Sequence, residues 1–116
     1  MSLCIARVYD VGKKRKNDYR VLVDRIWPRG VSKETLELDE WLNEIAPSTK
    51  LRKWFAHEQA KWEQFRVRYN RELAKHGDEL LRLAGIAAES DLVLLYSAKD
   101  MLHNQAVVIQ EAVRIG

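Results

Sequence analysis

A chain of 116 residues with 47% hydrophobic content has the size and the apolar material of one domain with one core. Its 20 basic and 17 acidic side chains leave a formal net charge of +3 and a pI near 9.1, too mild for a dedicated nucleic-acid binder, so the placement of charge matters more than its sum. The single cysteine excludes an internal disulfide, and no apolar run approaches the roughly 20 residues that cross a bilayer.

Met1 to Ala6 lacks the apolar core of a signal peptide, and a cytoplasmic location is expected. Leu3 to Tyr9 reads as a first strand, in which Cys4 with its apolar flanks is expected to be a buried small hydrophobe. Lys13-Lys14-Arg15-Lys16 lies between Gly12 and Asn17-Asp18, so it reads as an exposed loop, either simply solvated or attracting phosphate. Tyr19 to Arg25, with Val21-Leu22-Val23, reads as the second strand. Leu38, Trp41, Leu42 and Ile45 fit a short helix between Leu36 and Ile45, although strand is the open alternative.

Beyond Pro47, Ser48 is placed to cap a helix carrying Leu51, Trp54 and Phe55. Trp62, Phe65, Tyr69 and Leu73 mark the apolar stripe of a long helix from about Glu58 to His76. Gly77-Asp78 then separates it from another, whose Leu80, Leu81, Leu83 and Ala84 are expected to turn inward before Gly85. Asp91 to Tyr96 contains the continuous LVLLY run, the pattern of a central strand covered on both faces. Leu102 to Ile115 closes the chain as a helix with Ala106, Val107, Ile109 and Val113 apolar. Strands separated by helical stretches predict a single three-layer α/β domain over 1–116, with a small, mostly parallel sheet flanked by helices.

In such sheets ligands bind beyond the carboxyl ends of the strands, which directs attention to two loops. The first holds Asp24, Arg25, Trp27, Pro28, Arg29 and Gly30. Guanidinium groups offer planar donors to carboxylate or phosphate, and an indole offers a flat surface with one N–H, a combination suited to an anion with a ring or sugar attached. The competing reading is a structural rivet, with Asp24 paired to an arginine and Trp27 as a core lid. The second loop, YSAKDMLHNQA, brings Ser97, Lys99, Asp100, His103 and Asn104 between a buried strand and a helix. Here Asp100 is placed to cap the helix and to orient the His103 imidazole for acid–base chemistry.

His57 either reaches the same cleft or caps its helix, and His76 suits a helix C-terminus. The histidines have no metal-ligand spacing, so no metal is expected. Phosphate-binding, dinucleotide and hydrolase glycine motifs are missing, so the residues imply no cofactor, and Ser97 has no motif that makes it a nucleophile.

The blocks YRVLVDRIWPRG, LDEWLNEIAPSTKLRKWF, FRVRYNREL and LVLLYSAKDMLHNQAVVI resemble, in order and spacing, the YeaO-like family of small bacterial proteins, a family built on a domain of unknown function, number 488. The resemblance runs from about Cys4 to Ile109. It implies a compact cytoplasmic α/β fold and assigns neither substrate nor catalytic role. What it carries over is the pattern of Asp24 to Gly30, of Pro47, Ser48, Leu51 and Arg52, and of Lys99, Asp100, His103 and Asn104. Where many relatives have Asp-Pro after the histidine, this chain has Glu58-Gln59-Ala60 after His57.

Three functional readings follow. The first is a site for an anionic or nucleotide-like small molecule formed by Asp24, Arg25, Trp27, Arg29, Lys99 and Asn104, with Asp100 and His103 as acid–base groups. The second is a nucleic-acid module using Lys13 to Lys16 with Arg66, Arg68 and Arg71. The third is a protein-interaction adaptor docking through tryptophans, although Trp41, Trp54 and Trp62 lie on helical stripes and are expected to be mainly core. Oligomeric state leaves no mark on the sequence.

Overall fold

The LVLLY run becomes the strand on which the sheet is built. In the computed structural model, which describes residues 1–115, β1 (Ser2–Arg7), β2 (Asp18–Leu22), β3 (Glu40–Trp41) and β4 (Asp91–Tyr96) form one parallel sheet in the order β1-β4-β2-β3. Strand β4 is paired on both sides, with β1 from Ser2 opposite Asp91 to Arg7 opposite Tyr96, and with β2 from Asp18 opposite Asp91 to Leu22 opposite Leu95. Because side chains alternate along a strand, Leu92, Leu94 and Tyr96 face one core while Val93 and Leu95 face another. Leu92, Leu94 and Leu95 are fully buried, and burying a leucine side chain contributes about 1.5–3 kcal/mol.

The larger core lies under the helices α2 (Thr49–Phe55), α3 (Trp62–Leu73), α4 (Gly77–Glu89) and α5 (Gln105–Ile115). Phe55 stacks on Phe65 at 4.3 Å, and Trp62 stacks on Phe65 at 5.6 Å, so aromatic faces form the seam between α2 and α3. The opposite face is covered by a thinner layer, the single-turn α1 (Lys33–Leu36) and the flanking loops, which bury Val8, Leu22 and Leu36. These are the three expected layers, unequal in depth. Among the described residues no helix is long and apolar enough to cross a membrane.

Ser48 caps α2 as its position predicts: its hydroxyl accepts from the Leu51 N–H at 3.1 Å and itself donates to Glu72 at 2.6 Å. Other expectations are corrected. The helix fitted to residues 36–45 does not form. Glu37 turns left-handed at φ 48, and Asp39 exchanges hydrogen bonds with the Arg20 backbone at 3.0 and 2.8 Å, which pulls the segment onto the sheet as β3. Trp41 is therefore an edge-strand residue, 40% exposed, rather than core. Leu81 is 63% exposed because the inward stripe of α4 runs through Leu80, Leu83 and Ala84, leaving the intervening position on the outer face.

Gly77 does not separate two helices by a loop. A single 3-10 turn at Ala74–His76 joins α3 to α4, and Gly77 opens α4. The last helix begins at Gln105, three residues later than the pattern suggested, and Val108 is the buried position where Val107 was expected. Cys4 is exposed, because alternation on edge strand β1 points Leu3 and Ile5 to the helices and Cys4 to the thinly covered face.

Candidate functional site

At the carboxyl end of β2 the chain leaves the sheet through Val23 and Asp24, both buried. The Asp24 carbonyl accepts the Trp41 indole N–H at 2.7 Å, which ties this exit to β3. Its carboxylate accepts the Ser97 hydroxyl at 2.5 Å and the Gln105 side-chain amide at 2.6 Å, which ties it to the exit of β4 and the first turn of α5. Burial pushes the Asp24 carboxyl above its ordinary pKa, against the lowering effect of the Ser97 and Gln105 hydrogen bonds and of Arg52. No cation among the described residues forms a salt bridge with it.

The expected Asp24–arginine rivet is thus not made. Arg25 is a rivet of another kind: Nε donates to the Pro47 carbonyl at 2.9 Å and Nη2 to the Ala46 carbonyl at 2.8 Å, fastening this loop to the entry of α2. Trp27 donates its indole N–H to the Val31 carbonyl at 2.7 Å and meets the Trp41 ring edge-on at 5.4 Å, acting as a lid on the smaller core. Gly30 adopts φ 73, a conformation that costs glycine little. Arg29 is exposed, and its carbonyl accepts the Tyr9 hydroxyl at 2.9 Å.

Beside this loop lies a cavity of about 560 Å³. The buried lining residues Asp24, Pro28 and Pro47 make its floor, and exposed Tyr9, Ile26, Arg29, Lys53 and His57 make its rim. Arg25, Trp27, Arg52, Ser97, Ala98 and Gln105 also line it. Sheet geometry explains the gathering: the exits of β1, β2 and β4 meet at one edge, and α2 crosses it with Arg52 and Lys53 turned from the core that Leu51 and Phe55 fill. Helix α2 ends in two successive left-handed residues, Ala56 at φ 46 and His57 at φ 58, and this turn places His57 on the rim. Of its two readings, the cleft position is the one observed.

The second loop divides. Ser97 lines the cavity, but Lys99, Asp100, His103 and Asn104 do not. Asp100 accepts from the backbone N–H groups of Leu102 at 2.9 Å and His103 at 3.0 Å, and its Oδ2 lies 2.9 Å from His103 Nδ1, so the carboxylate orients the imidazole. The pair faces α3, however: Gln59 donates to Asp100 at 3.1 Å, and the His103 ring stands edge-on to Trp62 at 5.1 Å. The Leu102 amide, then Gln59 and His103, hold the Asp100 carboxyl down at about 2. Asp100 is not the cap of α5. Asn104 is, its side-chain oxygen accepting from the Ala106 N–H at 3.0 Å while its amide donates to the Asp100 carbonyl at 2.9 Å. Asn104 is buried and Lys99 exposed, and neither lines the cavity.

Elsewhere the basic groups are dispersed. Lys14 pairs with Asp39 at 2.7 Å, Arg66 pairs with Glu63 at 3.2 Å and with Glu111, and Arg68 lies over the Trp54 ring at 4.0 Å. None of the cavity-lining cations Arg25, Arg29, Arg52 and Lys53 forms a salt bridge among the described residues, a state they share with several basic residues elsewhere. Sequence reasoning gave too little weight to Arg52 and missed Lys53, Gln105 and Tyr9. The helical phase of Leu51 and Phe55 already turns positions 52 and 53 away from the core.

Comparison with known proteins places the chain in a family. Residues 2–115 match the model of a family described as the inactive DUF488-N3 subclade. The chain is 48% identical over 114 residues to the uncharacterized protein YeaO of Escherichia coli K12, covering 98% of each chain. It is 31% identical over 107 residues to the uncharacterized protein Rv3073c of Mycobacterium tuberculosis H37Rv, covering 92% of this chain and 89% of the other, and equally to the uncharacterized protein Mb3100c of Mycobacterium bovis. No solved structure matches it significantly. The chain therefore belongs to the YeaO-like DUF488 family, within the branch described as inactive.

Proposed function

We propose that the cavity at the carboxyl edge of the sheet binds an anionic, nucleotide-like small molecule without turning it over. The observation that carries this reading is the convergence of Arg25, Arg29, Arg52 and Lys53, all without carboxylate partners among the described residues, on one cavity of about 560 Å³. That volume lies within the range of pockets that bury small-molecule ligands. Arg29, Arg52 and Lys53 supply charge, Arg25 is held in place by backbone carbonyls, and the rings of Tyr9 and His57 offer flat surfaces on the rim.

Binding rather than catalysis is supported twice. Asp100 and His103, the acid–base pair, lie off the cavity, and the family branch is described as inactive. The test is thermal denaturation against a panel of nucleotides and phosphorylated metabolites. A ligand at a hundredfold excess over its Kd stabilises by about 2.7 kcal/mol, a shift of several degrees in Tm. Arg52→Ala is expected to abolish that shift while leaving the unliganded Tm unchanged. If no panel member stabilises the protein, the cavity is not such a site.

A further inference from the structure

An anion pocket needs donors, yet the floor of this one holds an acceptor. Asp24 is 7% exposed and lines the cavity, so a phosphate placed at the floor would meet a carboxylate head-on. Its partners, the Ser97 hydroxyl on Oδ2 and the Gln105 amide on Oδ1, are neutral. A carboxylate offers about four acceptor positions, so these bonds leave room for a further donor. Desolvation outweighs these bonds and the nearby Arg52 charge and holds the carboxyl above its ordinary pKa, so the ionised form is under-compensated and a further donor would stabilise it. A buried acid with neutral partners gains more from an N–H donor than from water at a half-open site.

The charges are therefore sorted by burial. Asp24 is buried, Arg52 is half-buried, and Arg29 and Lys53 are exposed. We infer that the ligand is amphoteric: a phosphate ester whose anion rests on Arg29, Arg52 and Lys53 and whose far end presents an amino group to Asp24. A volume of about 560 Å³ favours an aminopurine nucleotide over a small amino sugar. It rests on the reading of the cavity as an anion site, and Asp24 then acts as the residue that selects the amine.

The experiment is isothermal titration of the full chain with three pairs of compounds, each differing only in the amine. These are adenosine 5′-monophosphate against purine riboside 5′-monophosphate, guanosine 5′-monophosphate against inosine 5′-monophosphate, and glucosamine 6-phosphate against glucose 6-phosphate. In at least one pair the amino compound is expected to bind tenfold or more tightly, and which pair does so identifies the carrier of the amine. Asp24→Asn is expected to remove that preference while retaining binding of the amine-free member. Equal affinity within every pair that binds overturns the inference and leaves the anion site standing. No binding by any of the six compounds overturns the anion site as well. The comparison within pairs uses the unaltered protein, so it decides the matter even if Asp24→Asn fails to fold.

Discussion

The Ser97 hydroxyl donates to the Asp24 carboxylate at 2.5 Å, joining the exits of β4 and β2 across 73 residues of sequence. With the Gln105 amide on the other carboxylate oxygen at 2.6 Å, this bond closes the floor of the cavity and fixes α5 against the sheet. One buried acid thus serves two purposes. It organises the carboxyl edge, and it lines the cavity.

Burial raises the Asp24 pKa above its ordinary value of 3.8. The folded state therefore keeps this proton to higher pH than the unfolded chain does, and stability declines as pH rises from about 4 through the folded pKa. Asp24→Asn removes this dependence because the amide does not titrate; its oxygen can still accept from Gln105, and its NH2 can donate to the Ser97 hydroxyl in place of the bond Ser97 now donates. Urea denaturation from pH 4 to 8 is expected to show the variant gaining on wild type as pH rises, then holding constant. A constant difference across the whole range contradicts the assignment.

Arg25→Ala leaves the buried carbonyls of Ala46 and Pro47 without their donors. The expected loss is about 2–4 kcal/mol, read as a lower urea midpoint with unchanged slope. Arg25→Lys is expected to recover less than half, because a point charge on a flexible stem cannot reproduce the guanidinium fork.

Asp100 behaves oppositely to Asp24. Its carboxyl is held at about 2, chiefly by the Leu102 amide, so the stabilisation it provides is complete above the ordinary 3.8 and is lost as pH falls toward 2. Asp100→Asn is expected to be less stable than wild type at pH 6, with the gap closing below pH 3. His103→Ala, which lies off the cavity, is expected to leave nucleotide affinity unchanged within twofold.

Ala56 sits at φ 46 immediately before His57 at φ 58. A left-handed conformation costs an alanine roughly 1–2 kcal/mol. Ala56→Gly is therefore expected to stabilise the protein by up to about 1 kcal/mol after the entropic cost of glycine, measured by chemical denaturation.

The sheet was legible because β4 has no polar face and because Val21-Leu22-Val23 cannot be accommodated outside a core. The residues that lead away from β2 stood out for a different reason: Asp24, Arg25, Trp27 and Arg29 are too large and polar for an ordinary strand exit, which left a cavity wall and a structural rivet both open; all four line the cavity, and Arg25 is also tied to backbone carbonyls. What the sequence could not show was rotation. Asp100 and His103 follow β4 just as Ser97 does, but the turn held by the Leu102 and His103 amides swings them toward Gln59 and Trp62. Short-range hydrogen bonding decided their direction, and residue spacing alone carries no record of it. Residues 36–45 were unreadable for a related reason, since their strand pairing depends on Arg20, distant in sequence.

The most direct test of the account is a two-dimensional NMR titration of the isotopically labelled chain with adenosine and guanosine 5′-monophosphates. Saturable shifts confined to residues 24–29, 52–57, 97–98 and 105 are the predicted result. Shifts that centre instead on residues 13–16 and 66–71, or none at millimolar nucleotide, contradict it.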